Sequence, residues 1–467
     1  MNRKTAVAAL LFLTLTPMGL RTTPVSAQTP VRAGMALRQA PAASSFRPER
    51  LAAIWDEERV SWPVPPLIRH ADVEANIREV QRVTPDLFQV EEIGRSVEGR
   101  SINHIWFGTG PLHVMLWSQM HGDEPTATSA LFDIFEFVRR HRSEPEVARL
   151  LRSLTLHVVP MLNPDGAERF QRRNAQGIDI NRDGLRLQTP EGRALKALRD
   201  RVNPPIGFNL HNQNWRTSAG RTGQPATISL LSVAFDEART ESPGRLLTKK
   251  VCAIIRDALE TMAQGRIARY DDEFEVRAFG DNLTKWGTSV VLIETGPWPG
   301  PDPDISLVRL NFVAIVTALD GLATKRVQQA DPRRYESLPI NETNLFYTIV
   351  RNGTVVPGTG VDRFKADVGI VANRAVRDAD GARQTRFAAR IEDLGDLSTQ
   401  SALESIDAAG RVVAPLWDPA LKEGDEVALP DFKTRRAAHV IAPGDMADLV
   451  LLSMRGDRYR VERVIRF

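Results

Sequence analysis

Four short apolar runs stand out along the chain: LHVMLWSQ (112–119), LTLHVVPML (154–162), IGFNL (206–210) and SVVLIE (289–294). Each is bounded by polar or turn residues and reads as a buried strand. Between them the apolar positions recur at helical spacing. In residues 125–141, Leu131, Ile134, Phe135 and Val138 fall on one face, and Pro125 suits the first helical position. Ser242 before Pro243 opens a second helix, reaching about Met262, and Asp302 before Pro303 opens a third, reaching Leu322. This alternation, from about Trp62 to Lys325, predicts an α/β domain spanning residues 62–330. From about Pro339 the texture changes to short Val, Ile and Phe runs broken by NGT, PGTG, DADG, AAG and APGD. That pattern predicts a separate β-rich domain over 339–467. Within it APGDMADLVLL (442–452) reads as a turn followed by a buried strand. No repeat of fixed period is present.

The ends modify this picture. Residues 1–27 combine a basic start, an apolar stretch from Thr5 to Leu20 and small residues at Val25 and Ala27, the pattern of a cleavable signal peptide. The stretch is short and interrupted for a membrane span, so the expectation is a periplasmic or secreted protein without a stable span in the mature chain. Residues 28–61, rich in Ala, Pro and Arg, predict a partly disordered leader. Without Arg3, Lys4 and Arg21 the chain carries 58 basic and 58 acidic side chains. That balance gives no support for nucleic-acid binding, which needs a basic excess or stripe. Cys252 is the one cysteine, so no internal disulfide is available and the apolar core must suffice.

Candidate chemistry gathers at the strand ends. His121 and Glu124 follow the first run, His211 ends the third and Glu294 ends the fourth. In open α/β sheets the functional crevice lies outside the carboxyl ends of the strands, so these groups are expected to meet. Two histidines and a carboxylate suit zinc and leave a fourth position open, while a second carboxylate can take a proton from water there.

These residues stand within ordered motifs: EEIGRSVEGRSINHIWFG (91–108), HGDE (121–124), NPDG (163–166), RRN (172–174), GIDINRD (177–183), NLHNQ (209–213) and LIETG (292–296). Together they resemble the zinc carboxypeptidases of the carboxypeptidase A type over roughly residues 65–325. The resemblance implies a mixed central sheet with helices on both faces. It implies one zinc ion per chain held by His121, Glu124 and His211, with Glu294 as general base and then general acid. It further implies Arg172 as the oxyanion-stabilising arginine, with Arg173 as the alternative, and Asn181 and Arg182 as the grip on the substrate's terminal carboxylate. The implied activity is hydrolysis of a C-terminal peptide bond or similar amide, in peptides or cell-wall peptides with a free carboxylate.

Several positions keep more than one reading. Tyr270, in ARYDDEF, either closes over substrate or packs. RAFGDNLTKWG (277–287) either supplies a side-chain pocket, with Asp281 or Arg277 reading a charged substrate, or forms a loop turn. Arg169 reads as a solvated helix-face charge. His70, His104, His113, His141, His157 and His439 read as structural or solvated. A non-catalytic peptide- or cell-wall-binding protein on the same fold is the alternative function.

Overall fold

The computed structural model describes residues 46–467 apart from 63, 301, 380–381 and 433–439. The residues of the expected signal peptide, and His439, lie outside the described ones. The first region contains strands β1 (Gln89–Arg95), β2 (Ser101–Phe107), β3 (Leu112–Ser118), β4 (Leu154–Val159), β5 (Ile206–Asn212), β6 (Thr217–Ala219), β7 (Ile228–Ser232), β8 (Ile267–Arg269) and β9 (Ser289–Thr295). All but β6 join one eight-stranded sheet in the order β1-β2-β4-β3-β5-β9-β7-β8. Its centre, β4-β3-β5-β9, is parallel, while β1, β2 and β7 pair antiparallel, so the sheet is mixed.

Nine helices accompany it among the described residues before 325: α1 (Pro48–Glu58), α2 (His70–Val83), α3 (Thr126–His141), α4 (Pro145–Ser153), α5 (Pro164–Arg169), α6 (Pro190–Val202), α7 (Pro243–Leu259), α8 (Phe279–Lys285) and α9 (Pro303–Ala323). Side-chain alternation along the strands sends them to two faces. Val114, Leu116 and Ile293 join a cluster with α1, α3, α7 and α9; Met115, Trp117 and Leu292 join another with α6 and α8. Both faces are therefore covered, which is why the central strands read as unbroken apolar runs. Helix α9 has the length and composition to cross a bilayer, yet 83% of its apolar window is buried inside the fold.

The expected leader needs correction in its second half. Residues 48–58 form α1, whose Leu51 and Trp55 are buried, and Phe46 just before it packs edge-on to Phe137. Trp55 Nε1 donates to Asp133 on α3 at 2.6 Å, and the same carboxylate accepts from the Val60 and Ser61 amides. Pro125 takes the N-cap position and α3 begins at Thr126.

Beyond α9, β10 (Asn341–Thr343) pairs antiparallel with β6. A second eight-stranded sheet follows: β11 (Phe346–Val355), β12 (Phe364–Ala379), β13 (Ala382–Gly395), β14 (Ala402–Asp407), β15 (Val412–Pro415), β16 (Glu426–Val427), β17 (Leu449–Arg455) and β18 (Arg458–Ile465). It keeps its own apolar cluster, including Val350, Ile370 and Leu451. Polar bonds tie it to the first region: Arg383 donates to the Ile68 and Ala167 carbonyls, Arg216 pairs with Glu392 at 2.7 Å, and Arg374 pairs with Asp304. The described residues form one compact unit.

Candidate active site

The turn after β3 is built for a tight approach. Gln119 adopts a left-handed backbone, φ +52°, and its side chain bonds the Gly122 carbonyl and accepts from Thr128 Oγ1. Gly122 lies so close to Gly166 that a Cβ would stand 2.0 Å from the Gly166 carbonyl carbon, so only glycine fits. The turn is thereby seated on NPDG, where Asn163 caps α5 by accepting from the Gly166 amide. The loops after β3 and β4 are also joined by backbone bonds from Leu162 to Ser118 and from Asn163 to Gln119.

This seating brings the ligand residues of separate strands together. His121 Nδ1 lies 2.8 Å from Glu124 Oε1, His211 Nδ1 lies 2.6 Å from Glu124 Oε2, and the two Nδ1 atoms are 3.1 Å apart. All three residues are buried. Among the described residues this is the one His/Cys/Asp/Glu group whose ligand atoms converge tightly enough to hold a metal ion. In the sheet register His211 pairs directly with Glu294, so the two side chains stand beside each other at the strand ends. Glu294 Oε2 is buried and has no hydrogen-bond partner.

The donor set fits zinc. Two imidazole nitrogens and a carboxylate oxygen, mutually within bonding contact distance, match its preference for nitrogen and oxygen ligands, and an orphaned buried carboxylate oxygen beside them suits a water-borne proton. Burial raises Glu124, but His121 and His211 outweigh it and hold the carboxyl well below its usual range. Burial, and then the charge of Glu124, push Glu294 up to about 8, against the pull of His121 and Arg172.

The other predicted groups sort cleanly. Arg172 enters the site, its Nη1 3.1 Å from His121 Nδ1 and 3.4 Å from Glu124 Oε1. Arg173 is exposed and donates to the Gly177 carbonyl, and Arg169 pairs with Glu98 at the surface. Asn181 and Arg182 line the same cavity of about 470 Å³ as Glu294, Tyr270 and Asp281. Asn181 Oδ1 accepts from the Phe279 amide, and Arg182 lies 3.5 Å from Glu275. Tyr270 faces the cleft, where the nearby Glu294 charge and then burial push its hydroxyl up to about 12. Asp281 is pushed up to about 7 by burial, whereas Arg277 turns to Glu275 in solvent.

Asp179 was not foreseen. Its Oδ1 lies 3.0 Å from His121 Nε2 and its Oδ2 accepts from Arg172 Nε at 2.9 Å, so one carboxylate orients both His121 and the arginine. Its signal was its place two residues before Asn181 within GIDINRD. The remaining described histidines bond to neighbouring side chains or backbone away from this site. His104, His157 and His113 form a chain across β2, β4 and β3 at 3.1 and 2.9 Å, His70 bonds Ser101, and His141 links Glu58 and Glu144.

Comparison with known proteins places these motifs. Residues 73–239 match the zinc carboxypeptidase family. Carboxypeptidase E of Caenorhabditis elegans is 34% identical over 134 residues, covering 24% of this chain and 28% of that protein. The catalytic chain of human carboxypeptidase N is 30% identical over 143 residues, 26% of this chain and 31% of that one. The matched segment thus spans less than a third of either relative. Among solved structures, a metallo-carboxypeptidase from Burkholderia cenocepacia superposes with a TM-score of 0.43 at 19% identity, covering 54% of this chain and 69% of that chain. With the family match falling on HGDE, NPDG, GIDINRD and NLHNQ, residues 73–239 are similar to the zinc carboxypeptidase family.

Proposed function

We propose that the protein is a metallocarboxypeptidase holding one zinc ion through His121, Glu124 and His211 and hydrolysing the last peptide bond, or a similar amide bond, of substrates with a free carboxylate. The observation that carries this reading is the buried convergence of those three side chains beside the unpartnered Oε2 of Glu294. Zinc, when bound there, supplies a Lewis acid that polarises a carbonyl and lowers the pKa of water. Asn181 and Arg182 hold the terminal carboxylate, for which a planar guanidinium beside an amide offers converging donors. Arg172, braced by Asp179, presents fixed positive charge where the scissile carbonyl oxygen becomes negative. Glu294 takes the proton of the attacking water at Oε2 and returns it to the leaving amine. Asp179 keeps the His121 ring aimed with Nδ1 toward Glu124.

The N-terminal residues 1–27 support the further proposal that the protein is exported to the periplasm or the exterior, where peptides and cell-wall peptides are candidate substrates. The test is mass spectrometry of a mixed peptide pool incubated with wild type, with wild type plus a chelator, and with Glu294→Gln. Loss of single C-terminal residues in the first sample alone is the expected result. Retention of peptides without cleavage in any sample would instead identify a binding protein on this fold.

A further inference from the structure

The C-terminal sheet reaches the cleft at a place that the chemistry above leaves unused. Beside the cavity that contains Asn181, Arg182 and Glu294 lies a second one of about 290 Å³. The two share Glu124, Arg172, Asn212, Gln213 and Asn214, so they meet beside the proposed ligand Glu124. A peptide with its last residue in the first cavity and its scissile carbonyl at Arg172 must continue away from both. The second cavity opens on that path.

Its walls come from both regions of the chain. Asp123 and Asn212 flank the metal ligands, Trp215 follows them, and Asn373 and Arg374 arrive from β12 of the C-terminal sheet. Arg374 is held rigidly: it pairs with Asp304, lies 4.5 Å over the Phe387 ring and 6.0 Å over the Trp215 ring, and donates to Thr385 Oγ1. Asn373 stands exposed beside it. Two residues lining this cavity carry buried acceptors that lack partners. Asn212 donates through Nδ2 to Thr126 while its Oδ1 is buried and unbonded, and Asp123 Oδ1 is likewise buried and unbonded. Buried acceptors of this kind are costly until a donor reaches them, and a peptide backbone carries N–H donors whatever its side chains.

We infer that β12 completes the substrate cleft. Asn373 and Arg374, with Asp123, Asn212 and Trp215, form a subsite for the backbone of the residues N-terminal to the scissile bond, which directs the enzyme to extended peptides over acylated single amino acids. This rests on the proposed function and assigns the C-terminal sheet a part in substrate selection.

The experiment measures binding by calorimetry to the zinc-loaded Glu294→Gln protein. The probes are N-acetyl amino acids, which end before the second cavity, and acetyl-triglycyl amino acids, which cross it, each set covering the twenty last residues. The triglycyl probes should bind at least tenfold more tightly. Asn373→Trp, which fills the cavity from an exposed position, and Arg374→Ala should each remove most of that advantage while moving the acetyl amino acids by no more than about twofold. An advantage that survives both substitutions, equal weakening of both probe sets, or no advantage in the parent would overturn the inference alone. Binding of neither set, together with no trimming of peptides by wild type, would overturn the functional reading along with it.

Discussion

Behind His121, Asp179 accepts from Arg172 and faces the ring nitrogen that points away from the metal ligands. Carboxylates in this position fix ring orientation, and their loss costs roughly 10–100-fold in metal affinity. Asp179→Asn should therefore weaken zinc by that order in a competition titration against a chromophoric chelator, with the fold intact by circular dichroism. An unchanged affinity would show that the turn after β3 alone orients His121. The convergence of His121, Glu124 and His211 is legible because each ends a strand or follows one closely, so spacing and order in the chain point to it. Asp179 has no such relation to His121, 58 positions away, and only the folded loops bring it there. Arg172 and Arg173 differ by one position on an irregular segment. Which of them enters the cleft depends on the Asp179 contact, and no periodicity encodes that.

The central strands were foreseen because burial on both faces leaves continuous apolar runs, as in Val114 to Trp117. Helix α1 was missed for the opposite reason. PERLAAIWDEE keeps its apolar residues in one short run, Leu51 to Trp55, with no helical periodicity around it, and its burial follows from long-range partners such as Asp133 on α3 and the apolar residues of α3 and α9. Trp55→Ala should cost about 3–5 kcal/mol in denaturant unfolding; a loss below about 1 kcal/mol would show that α1 is dispensable to the core. The histidine chain across β2, β4 and β3 supports a second prediction at this scale. Burial, and then its neighbours His104 and His113, lower His157 to about 3. Because the folded value lies below the ordinary one, this contribution to stability is present above about pH 6.5 and is lost as the pH falls toward 3. Thermal unfolding of His157→Gln should accordingly show a shallower decline of Tm between pH 6.5 and 4 than wild type. Parallel curves would place the acid sensitivity elsewhere.

At the scale of the molecule, the change of texture near Pro339 correctly announced β structure but hid its relation to the rest. Turn and strand signals are local, whereas the ties that bind the second sheet to the first region are single long-range contacts such as Arg216 with Glu392 and Arg374 with Asp304. Residues 341–343 pair with β6 and help line the first cavity, while β12 lines the second, so the cleft is bordered by the C-terminal region on both sides. In the proposed function, one buried zinc site and one adjacent carboxylate together perform C-terminal hydrolysis. The most direct test measures zinc per chain and peptide turnover side by side for wild type, Glu294→Gln and His211→Ala. Wild type should hold one zinc and turn over peptide, Glu294→Gln should hold one zinc with turnover reduced at least about 100-fold, and His211→Ala should hold little zinc and show no turnover. Turnover by metal-free protein, or full turnover by Glu294→Gln, would contradict it.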